Sequence, residues 1–199
     1  MAATPSSDAP LEERIVDATL RCIARWGIAK TTLDDVAREA GCGRATIYRT
    51  FAGGKSAVLL AVLRREIARG GTAVDEAAAG ADSLEDLLVA GTVAATRFLQ
   101  GHEALAFLLA HEPDVVLPHL AFDKLDRLFA AAASVAAPHL ARFLPTVEVA
   151  GAAEWVTRVV LSYALNRSDR VDLTNERDAR RFVAAYLIPA LVPSLATRS

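Results

Sequence analysis

The chain has 199 residues, 53% of them hydrophobic and 23% charged, with a formal net charge of −2. That composition supplies a sizeable core and excludes a disordered polyelectrolyte. No apolar run approaches the ~18 residues that cross a bilayer, no charged-then-apolar signal segment opens the chain, and Cys22 and Cys42 form neither a CxxC pair nor a metal-spaced set. A cytoplasmic protein with reduced thiols, no membrane partner, no metal and no cofactor is expected.

The charge is unevenly spread. Residues 1–65 hold ten Lys/Arg against seven Asp/Glu, whereas residues 66–199 hold twelve against seventeen. A basic N-terminal part on an acidic remainder has the form of a local nucleic-acid footprint.

In chain order, residues 1–10 read as a disordered tail. A first helix is predicted from Pro10 or Leu11 to Trp26, with Ile15, Ala18, Cys22 and Trp26 on one apolar stripe and Gly27 as its stop. Thr32-Leu-Asp-Asp35 is a capping box with Asp in place of Glu, and it opens a brief helix to about Ala40. Gly41-Cys42-Gly43 breaks that helix, and a second brief one follows from about Arg44 to Phe51. After Gly53-Gly54, Lys55 starts a longer helix to about Arg69, which Gly70-Gly71 ends or kinks. Beyond Gly80 the pattern is helical throughout: from a cap at Asp82 or Ser83 to Gln100, then 103–112, one or two turns at 114–119, 121–137, 147–165 and 175–192. No alternating strand pattern and no repeat is present. The expected fold is all-α, with a helix-turn-helix domain over 11–55, a connecting helix over 56–70 and a larger helical domain over 71–199.

The informative stretch is Leu33–Thr50. Two short helices around a glycine turn form a helix-turn-helix unit. Val36, Ala40, Cys42 and Ile47 are apolar or small where the two helices meet, and the first helix supplies the face that the pair cannot bury alone. The second short helix then presents Arg44, Thr46, Tyr48, Arg49 and Thr50 outward, a pattern suited to a major groove ~12 Å wide. Arg44 can fork onto guanine, Thr46 offers a hydroxyl or methyl, and Ala45 can meet a thymine methyl. The hydroxyls of Thr32 and Tyr48 can donate to phosphate, and Lys55 can join a phosphate clamp.

The string from Gly27 to Lys55 resembles the N-terminal domain of the tetracycline-repressor (TetR) family of bacterial regulators. The likeness spans about Leu11–Leu60. Its most specific part is Thr32-Leu-x-x-Val-Ala, then Gly41, Thr46-Ile-Tyr48, Phe51 and Lys55. The resemblance implies that the third helix reads bases and that Thr32, Tyr48 and Lys55 contact phosphates. It also implies a C-terminal domain that dimerises and binds a ligand. Three departures stand out: Gly43 replaces a frequent Ser cap, Ala45 replaces a frequent Gly or Pro, and one extra residue separates Phe51 from Lys55. In the remainder, His111-Glu-Pro113, Leu117–Phe122, Leu161–Leu165 and Arg170–Thr174 are similar to a branch frequent in actinobacteria.

Within that frame, the last two long helices are expected to form a homodimer as a four-helix bundle, with Trp155, Val159, Tyr163, Phe182, Tyr186 and Leu187 in its core or supporting layer. An apolar pocket is expected among Phe98, Leu105, Phe107, Leu108, Phe122, Phe129 and Trp155, suited to a lipid-like or aromatic effector. The implied function is a repressor that leaves its double-stranded operator when a small apolar effector binds. The rival classes are a small helical enzyme and a helical interaction protein. Against the enzyme, the sequence has no G-x-S-x-G, phosphate loop, dinucleotide fingerprint or zinc spacing. Glu103, His111 and Glu112 form a charged cluster of the kind that is usually solvated.

Overall fold

The computed structural model describes residues 9–112, 114 and 125–191, and every element among them is helical. The chain divides into two compact units. The first comprises residues up to Glu66 and the segment from His102 that carries the sixth helix. The second comprises Ile67–Gly101 and the helices from Leu125 onward. The tail, most of the 114–119 turns, Phe122 and the end of the last predicted helix lie outside the described residues.

In the first unit, α1 (Leu11–Lys30) carries Glu12 and Glu13 in its first turn and Lys30 in its last, as the helix dipole favours. Ile15, Val16, Ala18, Cys22 and Ile23 are buried. Gly27 does not end the helix outright. It takes φ 80° and ψ 175°, a kink after which one more turn runs to Lys30. Trp26 departs from the predicted stripe: beside the kink it is 40% exposed, and Cys22 and Ile23 close the core instead. The short helices α2 (Leu33–Ala40) and α3 (Arg44–Thr50) follow, and then α4 (Lys55–Ala78). Ile15, Cys22, Val36, Ile47, Phe51 and Val58 form one cluster that seats α3. The helix α6 (Glu103–His111) lies along α1. This packing draws α6 into the first unit, and the division between the units falls within α4, inside the connecting helix predicted over 56–70.

In the second unit, α4 continues through Gly70 and Gly71 without a break. These glycines serve packing and not termination. A Cβ on Gly70 would stand 3.0 Å from the Phe98 ring of α5 (Leu84–Gln100), and one on Gly71 would stand 3.2 Å from Val135. Val135 belongs to α7 (Leu125–Leu140). The helix α8 (Thr146–Leu165) packs on α5 and α7. The last helix is not uniform: α9 (Glu176–Phe182) passes into a π-helical turn at Val183–Leu187 and then α10 (Ile188–Leu191). Pro189 explains the change, because it lacks the N–H that would continue the regular ladder and its ring crowds the preceding turn. The Ile188 N–H donates to the Val183 carbonyl, five residues back. Leu88, Val89, Leu140, Val160, Leu173 and Leu187 are among the residues of this unit's core.

Candidate nucleic-acid interface

The interface is built from a few local devices. Thr32 caps α2: its hydroxyl oxygen accepts the Asp35 N–H, while the Asp35 carboxylate accepts the Thr32 N–H and O–H. The Thr32 hydrogen bonds hold the Asp35 carboxyl below its ordinary range. At the other end, Gly41 adopts φ 65° and ψ 39°, so the chain turns in the left-handed region that costs glycine nothing. Arg14 donates to the Ala40 carbonyl at 2.7 Å and closes that helix end from α1. Arg21 and Arg25 of α1 grip Glu39 of α2 at 2.6 and 3.1 Å.

These contacts fix α3 with Ile47 wholly buried and the opposite face outward. Arg44, Ala45, Tyr48 and Arg49 are exposed, and Thr46 is half-buried. The Arg44 guanidinium donates to Asp34 at 2.9 Å and to the Tyr48 hydroxyl at 3.4 Å, and it lies 5.7 Å from the Tyr48 ring centroid. The Tyr48 contact, followed by the Asp34 charge, raises the arginine's pKa further, so Arg44 is a permanent cation. Arg49 donates to the Thr46 hydroxyl at 3.3 Å. Tyr48 is 47% exposed, and its ring rests on Gly54, where an added Cβ would approach to 3.0 Å. That close approach, which sequence reading missed, explains a glycine at a turn with φ 61°.

Lys55 departs from the simplest expectation. Its Nζ donates to the Ile28 carbonyl at 2.6 Å, so it ties α4 to the end of α1. Of the charged cluster Glu103, His111 and Glu112, the first two are exposed, as expected, and Glu112 has a specific partner. Glu112 is half-buried, and its carboxylate accepts the Ile28 and Ala29 N–H groups. The His111 ring stacks on Phe107 at 4.4 Å. No signal in the sequence links residue 112 to residues 28 and 29.

The expected pocket residues are divided between the two units. Leu105, Phe107 and Leu108 are half-buried on α6 in the first unit, whereas Phe98 belongs to the second. Trp155 is not enclosed: with Leu144, Val147, Gly151, Ala190 and Leu191 it lines an open groove of about 310 Å³ on the second unit. Phe122 and the Phe129 side chain lie outside the described residues. Of the expected dimer residues, Val159 and Tyr163 are half-buried, Tyr186 is 62% exposed and Phe182 is buried. Phe182 and Leu187 therefore belong to the unit's own core; Phe182 packs against Tyr163 and Tyr186 with ring centroids 4.8 and 5.1 Å apart. Among the described residues no group of His, Cys, Asp and Glu is arranged to hold a metal, and no helix is long and apolar enough to cross a membrane.

Comparison with known proteins agrees with this geometry. Residues 15–62 match the model for bacterial regulatory proteins of the tetR family. An HTH-type transcriptional regulator of Mycobacterium tuberculosis is 26% identical over 186 residues, covering 92% of this chain and 87% of the relative. The HTH-type regulator TtgW of Pseudomonas putida is 45% identical over 51 residues, 26% of this chain and 37% of its own length. Among solved structures, the TetR-family repressor AlkX of Dietzia, implicated in n-alkane biodegradation, superposes with a TM-score of 0.67 at 19% identity, covering 94% of this chain and all of that one. FadR of Bacillus subtilis in complex with stearoyl-CoA superposes with a TM-score of 0.59 at 17% identity, covering 90% and 97%. A capped helix-turn-helix braced by a first helix thus matches the tetR-family model over residues 15–62, on an all-helical chain that is similar along most of its length to HTH-type transcriptional regulators.

Proposed function

We propose that the protein is a ligand-responsive repressor that binds a near-palindromic operator as a homodimer. The observation that carries the reading is the outward face of α3, where Arg44, Ala45, Tyr48 and Arg49 are exposed while Ile47 anchors the helix. Arg44, Ala45 and Thr46 meet base edges, and Arg49 lies along the same face. Thr32 and Tyr48 donate to phosphates and set register. Lys55 adds positive charge beside that surface but is anchored on the Ile28 carbonyl.

The dimer face is the exposed side of α8 and the π-helical turn, with Val147, Trp155 and Tyr186 outward. Exposed large apolar side chains on one unit mark such a surface. Two heads ~34–36 Å apart then meet successive major grooves. The effector is an apolar or acyl-chain compound bound in the second unit. This class is supported by the apolar helices there and by the likeness to AlkX, implicated in n-alkane biodegradation, and to FadR in complex with stearoyl-CoA. Release follows if the effector prefers a dimer conformation that misaligns the heads, and it is limited by that difference in affinity.

The test is selection of bound duplexes from a random pool, followed by titration of the complex with stearoyl-CoA, a free fatty acid and an n-alkane. Enrichment of an inverted repeat and release by one of these compounds is expected. An enriched sequence without symmetry would remove the dimer, and no release by any of the three would remove the effector class. Tyr186→Glu is expected to give monomers by sedimentation, whereas an unchanged dimer would move the interface elsewhere.

A further inference from the structure

The turn at Gly27–Thr31 joins α1 to the helix-turn-helix pair, and it is gripped from two directions. Gly27 interrupts the helix, so the amides just beyond it point away as at the start of a new one. The Glu112 carboxylate meets them: Oε2 accepts the Ile28 N–H at 2.7 Å, and both oxygens accept the Ala29 N–H at 3.2 and 3.3 Å. On the carbonyl side, the Lys55 ammonium donates to Ile28 O at 2.6 Å. Acid at the amide end and base at the carbonyl end is the arrangement the peptide dipoles favour. Thr31 closes the turn by donating from both its N–H and its hydroxyl to the Gly27 carbonyl, at 3.3 and 2.6 Å. A Cβ on residue 27 would overlap the Glu112 carboxylate, so the seat exists only because that residue is glycine. The next residue after the turn is Thr32, the cap of α2, and α2 seats α3.

We propose that Glu112 is a positioning residue for DNA binding: from α6 it caps the Gly27 turn and thereby sets Thr32 and the helix pair against the duplex. The proposal rests on the outward face of α3 being the DNA surface. The sign of the effect is diagnostic. A carboxylate close to a polyanion is adverse, so removing its charge alone would tighten binding, most of all at low salt. Loss of positioning weakens binding instead. Glu112 neutralises no phosphate, so the salt slope should not become shallower.

The experiment uses the full chain with Glu112→Gln and Glu112→Ala. Binding is measured across salt to a duplex that the unaltered protein selects from a random pool and to a scrambled duplex of equal length. Both variants are expected to bind the selected duplex about fivefold or more weakly, with a smaller loss on the scrambled one, a salt slope no shallower than that of the unaltered protein and an unchanged circular dichroism spectrum. In the unaltered protein the Ile28 and Ala29 amide proton resonances should lie downfield, as for donors to a carboxylate, and move upfield in Glu112→Gln. That readout stands even if Glu112→Ala fails to fold. Binding that is unchanged or tighter in folded Glu112→Gln, while Tyr48→Phe binds more weakly, overturns the role of Glu112 and leaves the α3 surface intact. Failure of the unaltered protein to select any duplex overturns both.

Discussion

Gly54→Ala probes the link between a backbone turn and the proposed DNA surface. Gly54 sits at φ 61°, where a side chain costs ~1–2 kcal/mol. Its new methyl would also stand 3.0 Å from Cε1 of Tyr48 and 3.6 Å from Cδ1 of Leu33. The second distance is an ordinary contact. The first requires the Tyr48 ring to move by a few tenths of an ångström. The ring is 47% exposed and free to move outward, so the expected outcome is a folded protein with a displaced tyrosine. A hydrogen bond to a charged group is worth ~1.5–3 kcal/mol, so losing the proposed phosphate contact from Tyr48 should weaken binding roughly ten- to a hundredfold. Gly53→Ala is the control. Its φ of 125° is also strained, but its Cβ would meet Ala57 at 3.2 Å and not Tyr48. The assay pairs urea unfolding of each variant with fluorescence anisotropy on a pool-selected duplex. Both variants should lose stability, and only Gly54→Ala should lose affinity well beyond the control. Equal losses of affinity, or a Gly54→Ala effect that persists undiminished in a Tyr48→Phe background, would refute the reasoning.

Gly41→Ala should destabilise the head by ~1–2 kcal/mol in denaturant titrations, because its φ of 65° is left-handed and only the movable Arg14 guanidinium stands near the new Cβ, at 3.3 Å. No measurable loss would mean that the turn relaxes. Lys55→Met should weaken DNA binding while lowering the salt slope by clearly less than one, since its ammonium is spent on the Ile28 carbonyl; a drop of ~1 would make it a phosphate contact after all. Arg21, through its hydrogen bond, holds the Glu39 carboxyl below its ordinary value of 4.5, and Arg25 adds to this. A depressed folded pKa contributes stability that is present above 4.5 and lost as the pH falls through the folded value. Melting temperature should therefore fall on acidification below that range, and less steeply in Glu39→Gln than in the unaltered protein.

The devices legible in the sequence are those whose parts lie within a few residues. The Thr32–Asp35 box and the left-handed Gly41 are settled by neighbours three or four positions away, and both stand as expected. The apolar spacing of Val36, Ala40 and Ile47 likewise identified the helix pair and left Arg44 and Tyr48 on its outer face. Trp26 shows the limit of periodicity: the stripe assigns it to the core, yet it stands 40% exposed. The pair Gly70-Gly71 shows another limit. Glycine serves both helix termination and close packing, and only the approach of Phe98 and Val135 tells which applies.

Local chemistry alone therefore determined the all-helical architecture, the capped helix-turn-helix and the side of α3 that faces outward, because hydrogen-bond geometry and apolar period act over short chain distances. Tertiary structure alone decided what long side chains from distant segments do. Lys55 reaches Ile28 across 27 positions and Glu112 reaches it across 84. Such contacts depend on how α4 and α6 come to lie against the end of α1. No local pattern encodes that arrangement, since it arises only when the packed core has brought those helix ends together.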